Sequence, residues 1–466
     1  MAGDETYYWL WGQYPDWGYY SKPPLIGWIY GALTALFGAH TWVFKGFATL
    51  LGGGTLWFFY RTLETLTHNR SLAFLGLLTF ALLPAHLLLS SMLTIDAPLL
   101  FCWTGALFCT VKILDDPEPR TFDFVCLAGL LALGHLSKQM MLVQLPLILI
   151  VAGCFKRTLL RDRRLWIALL GSLLALLPPV VWNAQNEWIT FQHTAHHFEP
   201  APPTLGKTLS RLGDFWGVVC ILVSPILFVL LFPSIAYAWK NRKDRAVALC
   251  ILFGVVGLIV MSLLTYRQRI NPNWPAAFLP ASLALILLWA NASALRMVWF
   301  KRGIWVAGFL SLGAMIFLSL LEPLAPQLAK LGLPPQKRGW QGYPEMVQQT
   351  VQQFPQAEQI IFVGHRFIAS QFAFHGSDPK RVHLWNPTQS IQNQFDFFNA
   401  PEIGLPTLIV VEREQSDRSG ALPEALIPLL KNPEAVNELP MHPHRDYPRY
   451  KIYLAESLED WISHSH

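Results

Sequence analysis

Five short polar stretches stand out of an otherwise apolar chain, and their residue types suit work on an anionic, lipid-borne substrate. Asp4-Glu5 and Lys22 sit in an N-terminal segment of 41 residues crowded with aromatics. Asp96 lies in Thr94-Ile95-Asp96-Ala97-Pro98 at the start of an apolar run, and Lys138 follows Ser137 between two such runs. Arg267, Arg269 and Asn271 precede Pro272-Asn273-Trp274-Pro275. Taken singly, each has a structural explanation: incidental charges in an aromatic belt, a helix cap at Asp96, a snorkelling Lys138. Unpaired charge beside an apolar surface is costly, however, so together they point to a cavity or a ligand. A separate group, His193, His196 and His197, carries zinc-type ligands, but no complete ligand set is visible. Metal therefore stays unassigned and no cofactor is named.

The elements that must position these groups are membrane helices. The chain has 466 residues, 53% hydrophobic and only 14% charged, with a mean hydropathy of +0.34, whereas soluble chains average about 25% charged. That excludes an ordinary soluble enzyme. The formal charge of +5 is too small and too scattered to argue for nucleic acid. Apolar runs predict about ten spans, near 42–61, 71–90, 96–113, 122–136, 139–155, 165–182, 215–239, 247–265, 275–290 and 303–321. The 122–155 pair breaks at Leu136-Ser137-Lys138-Gln139 and reads as a tight helical hairpin. Pro24 to Gly38 reads as a helix lying along the bilayer interface. The six cysteines all fall inside apolar runs and read as small buried hydrophobes.

Lysine and arginine are unevenly shared between the two sets of loops. Sixteen fall in alternate loops, including Arg61, Lys112 and the cluster from Lys156 to Arg164, against seven in the others. The positive-inside rule makes the first set cytoplasmic. Both termini, the loop 183–214 and everything after 322 then face outward. The cations Lys22, Lys138, Arg267 and Arg269 break the trend at the face holding Asp4 and Glu5, as a site for an anionic lipid head group would.

After a linker at 322–338, residues 339–466 read as a small extracytoplasmic α/β domain. Strand-like runs at 359–363, 382–385, 407–412 and 450–454 alternate with helix-like stretches at 344–353 and 421–431. This tail is expected to be an accessory cap that contributes no catalytic group, with His365-Arg366 its one local cluster.

The motifs resemble those of a family. Asp4-Glu5-Thr6-Tyr7-Tyr8-Trp9, Tyr19-Tyr20-Ser21-Lys22-Pro23-Pro24, Thr94-Ile95-Asp96-Ala97-Pro98, Leu136-Ser137-Lys138 and Asn273-Trp274-Pro275 occur in the order seen in bacterial GT-C membrane glycosyltransferases. Within that group they look like the motifs of the lipid A aminoarabinose and galacturonate transferases and of protein mannosyltransferase-like enzymes. Asn393-Gln394-Phe395-Asp396 is similar to a pattern in the same group. The resemblance implies a GT-C transmembrane domain at 1–321, with 1–41 an outer juxtamembrane segment, and sugar transfer from a polyprenyl-phosphate donor to a lipid, glycan or protein at the outer face of a bacterial inner membrane. In that reading Asp4 is the general base and the reaction inverts. Lys22, Lys138, Arg267 and Arg269 bind the donor phosphate, with Glu5, Asp96 and Tyr20 in support.

Two departures accompany it. Ser21 replaces a glutamate that takes part in a metal site in aminoarabinose transferases. The family's membrane helix ahead of the Asp-Glu motif has no counterpart in these residues, so it is expected to be lost or to lie upstream of the start used. The alternatives are a lipid-linked sugar flippase or transporter, whose charges would sit mid-span, and an inactive lipid-sugar-binding relative.

Overall fold

A computed structural model of the chain describes residues 1–195, 204–330, 343–376, 378–388, 390–412, 419–440 and 449–461. They form two compact units: Met1–Ser21, Ile26–Val43 and Ile316–His466 make the first, Lys22–Leu25 and Phe44–Met315 the second. The N-terminal segment, grouped by sequence with the membrane domain, thus packs with the C-terminal α/β region. It contributes helices α1 (Gly3–Gln13) and α2 (Leu25–Phe37). Where they cross, a Cβ on Gly12 would stand 2.5 Å from the Gly31 nitrogen and 2.9 Å from the Gly27 oxygen, so only glycine permits the approach.

The second unit is a bundle of apolar helices: α3 (Thr41–Thr67, from Phe44 onward), α4 (Arg70–Ala81), α5 (Pro84–Ser90), α6 (Asp96–Asp115), α7 (Thr121–Ser137), α8 (Gln144–Phe155), α9 (Arg163–Leu173), α10 (Leu177–Gln185), α11 (Ile189–Ala195), α12 (Leu205–Val223), α13 (Pro225–Lys240), α14 (Arg245–Cys250), α15 (Val256–Leu264), α16 (Leu279–Asn291) and α17 (Ala294–Lys330), whose part after Met315 groups with the first unit. Among the described residues five helical stretches are long and apolar enough to cross a membrane, or seven if each of two bent pairs is one span. Shorter apolar helices at Leu25–Phe37, Thr121–Ser137 and Gln139–Phe155 accompany them. The protein is a polytopic helical membrane protein, and length and composition do not establish the expected ten spans.

Two expected spans are not straight. The 71–90 run bends by 67° between α4 and α5, where Pro84 begins the second helix. The 215–239 run bends by 108° at Ser224, whose φ of 83° lies outside the helical region just before Pro225. At the centre, α6 is almost wholly buried and carries Trp103, Cys102 and Cys109 in the core. The break at 137–139 is real: α7 stops at Ser137, Lys138 is extended, and a 3₁₀ turn at Gln139–Val143 leads into α8.

The α/β region comprises α18 (Tyr343–Gln353), β1 (Gln359–Val363), α19 (Arg366–His375), β2 (Val382–Leu384), β3 (Thr407–Glu412), β4 (Leu430–Lys431), β5 (Glu434–Pro440), β6 (Arg449–Ala455) and β7 (Ser457–Leu458). One sheet has the order β2-β1-β3-β6-β5, parallel from β2 to β3 and antiparallel beyond. Both faces are covered, as the near-continuous apolar strands require. Ile361, Ile409, Val411 and Tyr453 point to one core, while Phe362 packs on Phe372 and Tyr450 on the other. The expected helix at 421–431 is instead a turn, a 3₁₀ segment at Ile427–Leu429 and β4, which pairs with β7. Pro423 and Pro428 interrupt a helical hydrogen-bond ladder there. Of the expected linker, 322–330 continues α17 as helix and 331–338 lies outside the described residues.

Candidate active site

In the second unit the nominated polar residues converge at helix ends. Asp96 opens α6 and Lys138 follows α7; Lys138 Nζ lies 2.9 Å from Asp96 Oδ1, with both side chains under 10% exposed. Asn273 Nδ2 donates to Asp96 Oδ2 at 2.5 Å. Ser137 Oγ donates to the Ile95 carbonyl at 2.8 Å, which fastens the end of α7 to the start of α6. Asp96 is therefore not merely a cap and Lys138 does not snorkel. Burying two unlike charges together is tolerable where burying either alone is not, and Asn273 satisfies the second carboxylate oxygen. An ammonium has three protons, and Asp96 takes one of them.

The other nominated cations are more open. Arg267 and Arg269 are exposed, and Arg269 approaches Asp214 at only 3.9 Å. Lys22 is half-buried in the turn before Pro23-Pro24. Arg211 of α12, absent from the expected site residues, is buried. Its helical phase with Phe215 and Val219 was the available signal.

In the first unit α1 presents its acidic pair in its first turn, where the helix dipole favours negative charge. The two carboxylates differ. Glu5 is fully buried and accepts the Ala2 N–H at 2.8 Å, whereas Asp4 is exposed. Of the pair, Asp4 is the one open at the surface.

The tail sequence supplies the clamp on α1. Gln394 donates its backbone N–H to the Tyr7 hydroxyl at 2.7 Å, and its side-chain oxygen accepts the Tyr20 N–H at 2.6 Å. Phe395 stacks on Tyr7, and Phe374 meets Trp9 edge-on at 4.9 Å. Asp396 holds the Gln394 turn by accepting from Gln392, Asn393 and Asn386. The Arg366 guanidinium lies 5.4 Å from the Tyr7 ring centre. Tyr7 is one turn beyond Asp4 on α1, so Arg366 flanks the same stretch of helix. Burial raises the pKa of the Tyr7 and Tyr20 hydroxyls, opposed in both by Arg366.

Arg366→Ala is expected to loosen this clamp by about 0.5–2 kcal/mol, the range of a cation–π contact, and to lower any turnover through the position of α1. Thermal unfolding and initial rates, measured together, check it. A folded variant with no turnover would place part of the active site in the tail.

His193 lies on α11, while His196 and His197 fall outside the described residues. Among the described residues no group of three or more His, Cys, Asp or Glu side chains is arranged to hold a metal ion.

Comparison with known proteins follows the same lines. A family model described as dolichyl-phosphate-mannose-protein mannosyltransferase matches residues 21–182, the stretch holding Lys22, Asp96 and Lys138. Lipid A galacturonosyltransferase RgtD of Rhizobium johnstonii is 28% identical over 334 residues, 69% of this chain. The match spans 65% of that relative's length, just under two thirds. The crystal structure of ArnT from Cupriavidus metallidurans in the apo state superposes with a TM-score of 0.61 at 16% identity, covering 97% of this chain and 93% of that one. The same protein bound to undecaprenyl phosphate gives 0.60 at 16% identity, covering 97% and 92%. At such identity these two show a shared fold.

Proposed function

We propose that this chain, a member of the GT-C superfamily of membrane glycosyltransferases, transfers a sugar from a polyprenyl-phosphate donor to a lipid, glycan or protein acceptor at the outer membrane face. The observation that carries this reading is the buried Lys138–Asp96–Asn273 cluster, drawn from three helix ends of an apolar bundle and lying partly within the matched stretch. Lys138 supplies charge for the donor phosphate, and Asp96 and Asn273 hold its ammonium in place. Lys22, Arg267 and Arg269 add the further cations that a phosphate and a departing polyprenyl phosphate call for. Asp4 removes the acceptor's proton as the acceptor attacks the anomeric carbon. The C–O bond to the phosphate breaks as the new glycosidic bond forms, so configuration inverts. A relative seen with undecaprenyl phosphate and another named for a lipid A acceptor support a donor and an acceptor of these classes.

A flippase or transporter would place its charges mid-span. Asp96, Lys138 and Asn273 instead occupy helix ends, which favours chemistry at a membrane rim. The experiment that tests the reading is mass spectrometry of envelope glycolipids and glycoproteins with and without the gene. Loss of one sugar increment on deletion, restored by the gene, supports it; identical profiles in an envelope that contains the donor refute it.

The topology is part of the proposal. A cysteine introduced as Arg163→Cys, in the loop richest in basic residues, is expected to resist an impermeant thiol reagent in intact cells and to react after permeabilisation. Labelling from outside would invert the orientation and move the proposed site to the cytoplasmic face.

A further inference from the structure

A cavity of about 520 Å³ opens between α3, α6 and α7, at the opposite end of α6 from Asp96. Its walls are apolar and aromatic, with Phe58, Phe108, Leu130 and Leu133 among them. Its charged lining is Arg61, Lys112 and Asp123. Several wall residues, Trp57, Phe122 and Leu133 among them, are exposed in the bundle and thus open to surrounding lipid.

The charge balance at this end is uneven. Lys112 is neutralised by Asp123 at 2.6 Å. Arg61 and Arg70 share one carboxylate, Glu64, at 3.2 and 2.9 Å, which among the described residues leaves one positive charge uncompensated. The Arg61 Nε is buried and, despite its distance from Glu64, makes no aligned hydrogen bond. Its guanidinium lies 5.9 Å from the Trp57 ring and 5.8 Å from that of Phe108, both of which line the cavity.

We infer that this cavity binds one anionic glycerophospholipid from the leaflet on the basic side, its phosphate on Arg61 and one acyl chain between α3 and α7. An apolar slot with a single uncompensated cation at its edge is the complement of such a molecule, and a guanidinium binds a phosphate through charge-assisted hydrogen bonds. The polyprenyl-phosphate donor is a poorer occupant. Sixteen residues of α6 separate Lys112 from Asp96, about 24 Å at 1.5 Å per residue, so a phosphate at Arg61 lies far from the proposed site of reaction. The inference requires only that the bundle be embedded in a membrane and is independent of sugar transfer.

Gly129 offers a clean test, because it lines the cavity and a Cβ there meets nothing within 4 Å. Gly129→Leu therefore adds apolar bulk at the cavity wall from a Cβ position that is open, and replaces a poor helix former with a good one. The full chain, purified in mild detergent, is examined by native mass spectrometry and by analysis of extracted lipid. The wild type is expected to retain about one anionic glycerophospholipid per chain, and Gly129→Leu at least tenfold less. Arg61→Gln, at a partly exposed position, is expected to lose the preference for anionic over zwitterionic lipid even if the glycine variant fails to fold. Equal retention by Gly129→Leu, an unchanged preference in Arg61→Gln, or polyprenyl phosphate as the retained species would overturn the inference.

Discussion

Asp4→Asn is expected to lower sugar transfer by about 10²- to 10⁴-fold, the usual contribution of a general base, while leaving donor binding nearly unchanged. Lys22→Ala is expected to weaken both, because a cation that contacts the donor phosphate acts in the ground state as well as the transition state. Initial rates over a range of donor concentrations, with a separate binding titration, resolve the two patterns. Asp4 and Glu5 are adjacent, yet only Asp4 is exposed, while Glu5 is committed to the Ala2 N–H. Wild-type activity in Asp4→Asn would remove the base assignment and make Glu5→Gln the next variant. In that event, the capping bond of Glu5 would have to open during turnover.

The second large effect concerns stability and activity at once. Lys138→Met leaves the Asp96 carboxylate buried with Asn273 as its remaining side-chain partner, and Asp96→Asn leaves the ammonium without its counter-charge. Breaking a buried pair from one side typically costs about 3–5 kcal/mol, so each single variant is expected to unfold at a markedly lower temperature. The double variant Asp96→Asn/Lys138→Met carries no unmatched charge and is expected to regain most of that stability. On the role proposed for Lys138 it is expected to remain inactive, because the cation assigned to the donor phosphate is gone. Unfolding temperature and turnover, measured on all four proteins, separate scaffold from chemistry. A double variant that recovered turnover along with stability would reduce the pair to a structural brace.

Much of the architecture was legible because it is local. Apolar runs mark helices, the Ser137-Lys138 break falls where α7 ends, and β1, β2, β3 and β6 lie on their alternating or continuous apolar stretches. Bends were harder to read. Ser224 takes a positive φ for which serine type gives no signal, and only the following proline hints at it. The false helix at 421–431 arose from its apolar spacing, which two prolines override. Strand β5 was missed because it is an edge strand rich in Glu and Asn, held by pairing with β6 across a bulge. Helix α19 was missed altogether, although His365 caps it through its ring nitrogen.

The candidate site divides in the same way. Residue type and positive-inside violations led to Lys22, Lys138 and the Asp4–Glu5 pair. The partners that define their surroundings are remote in sequence: Asn273 stands 177 residues from Asp96, and Gln394 stands 387 from Tyr7. No spacing rule reaches so far, and only the fold brings those pairs together. Asn273 and Gln394 both lay within quoted motifs, so the motif order carried more information about the site than the charges alone.

The central claim is chemical: the donor's bond to its sugar is cut. The most direct test follows the donor in bilayers. Purified protein is reconstituted with a membrane extract that contains polyprenyl-phosphate sugars and envelope acceptors, and mass spectrometry tracks both lipids over time. The account predicts that polyprenyl-phosphate sugar is converted to free polyprenyl phosphate in step with an equal gain of glycosylated acceptor, and that Asp4→Asn slows both alike. Donor that crosses the bilayer with its sugar still attached, or acceptor that gains nothing while intact donor persists, would contradict it.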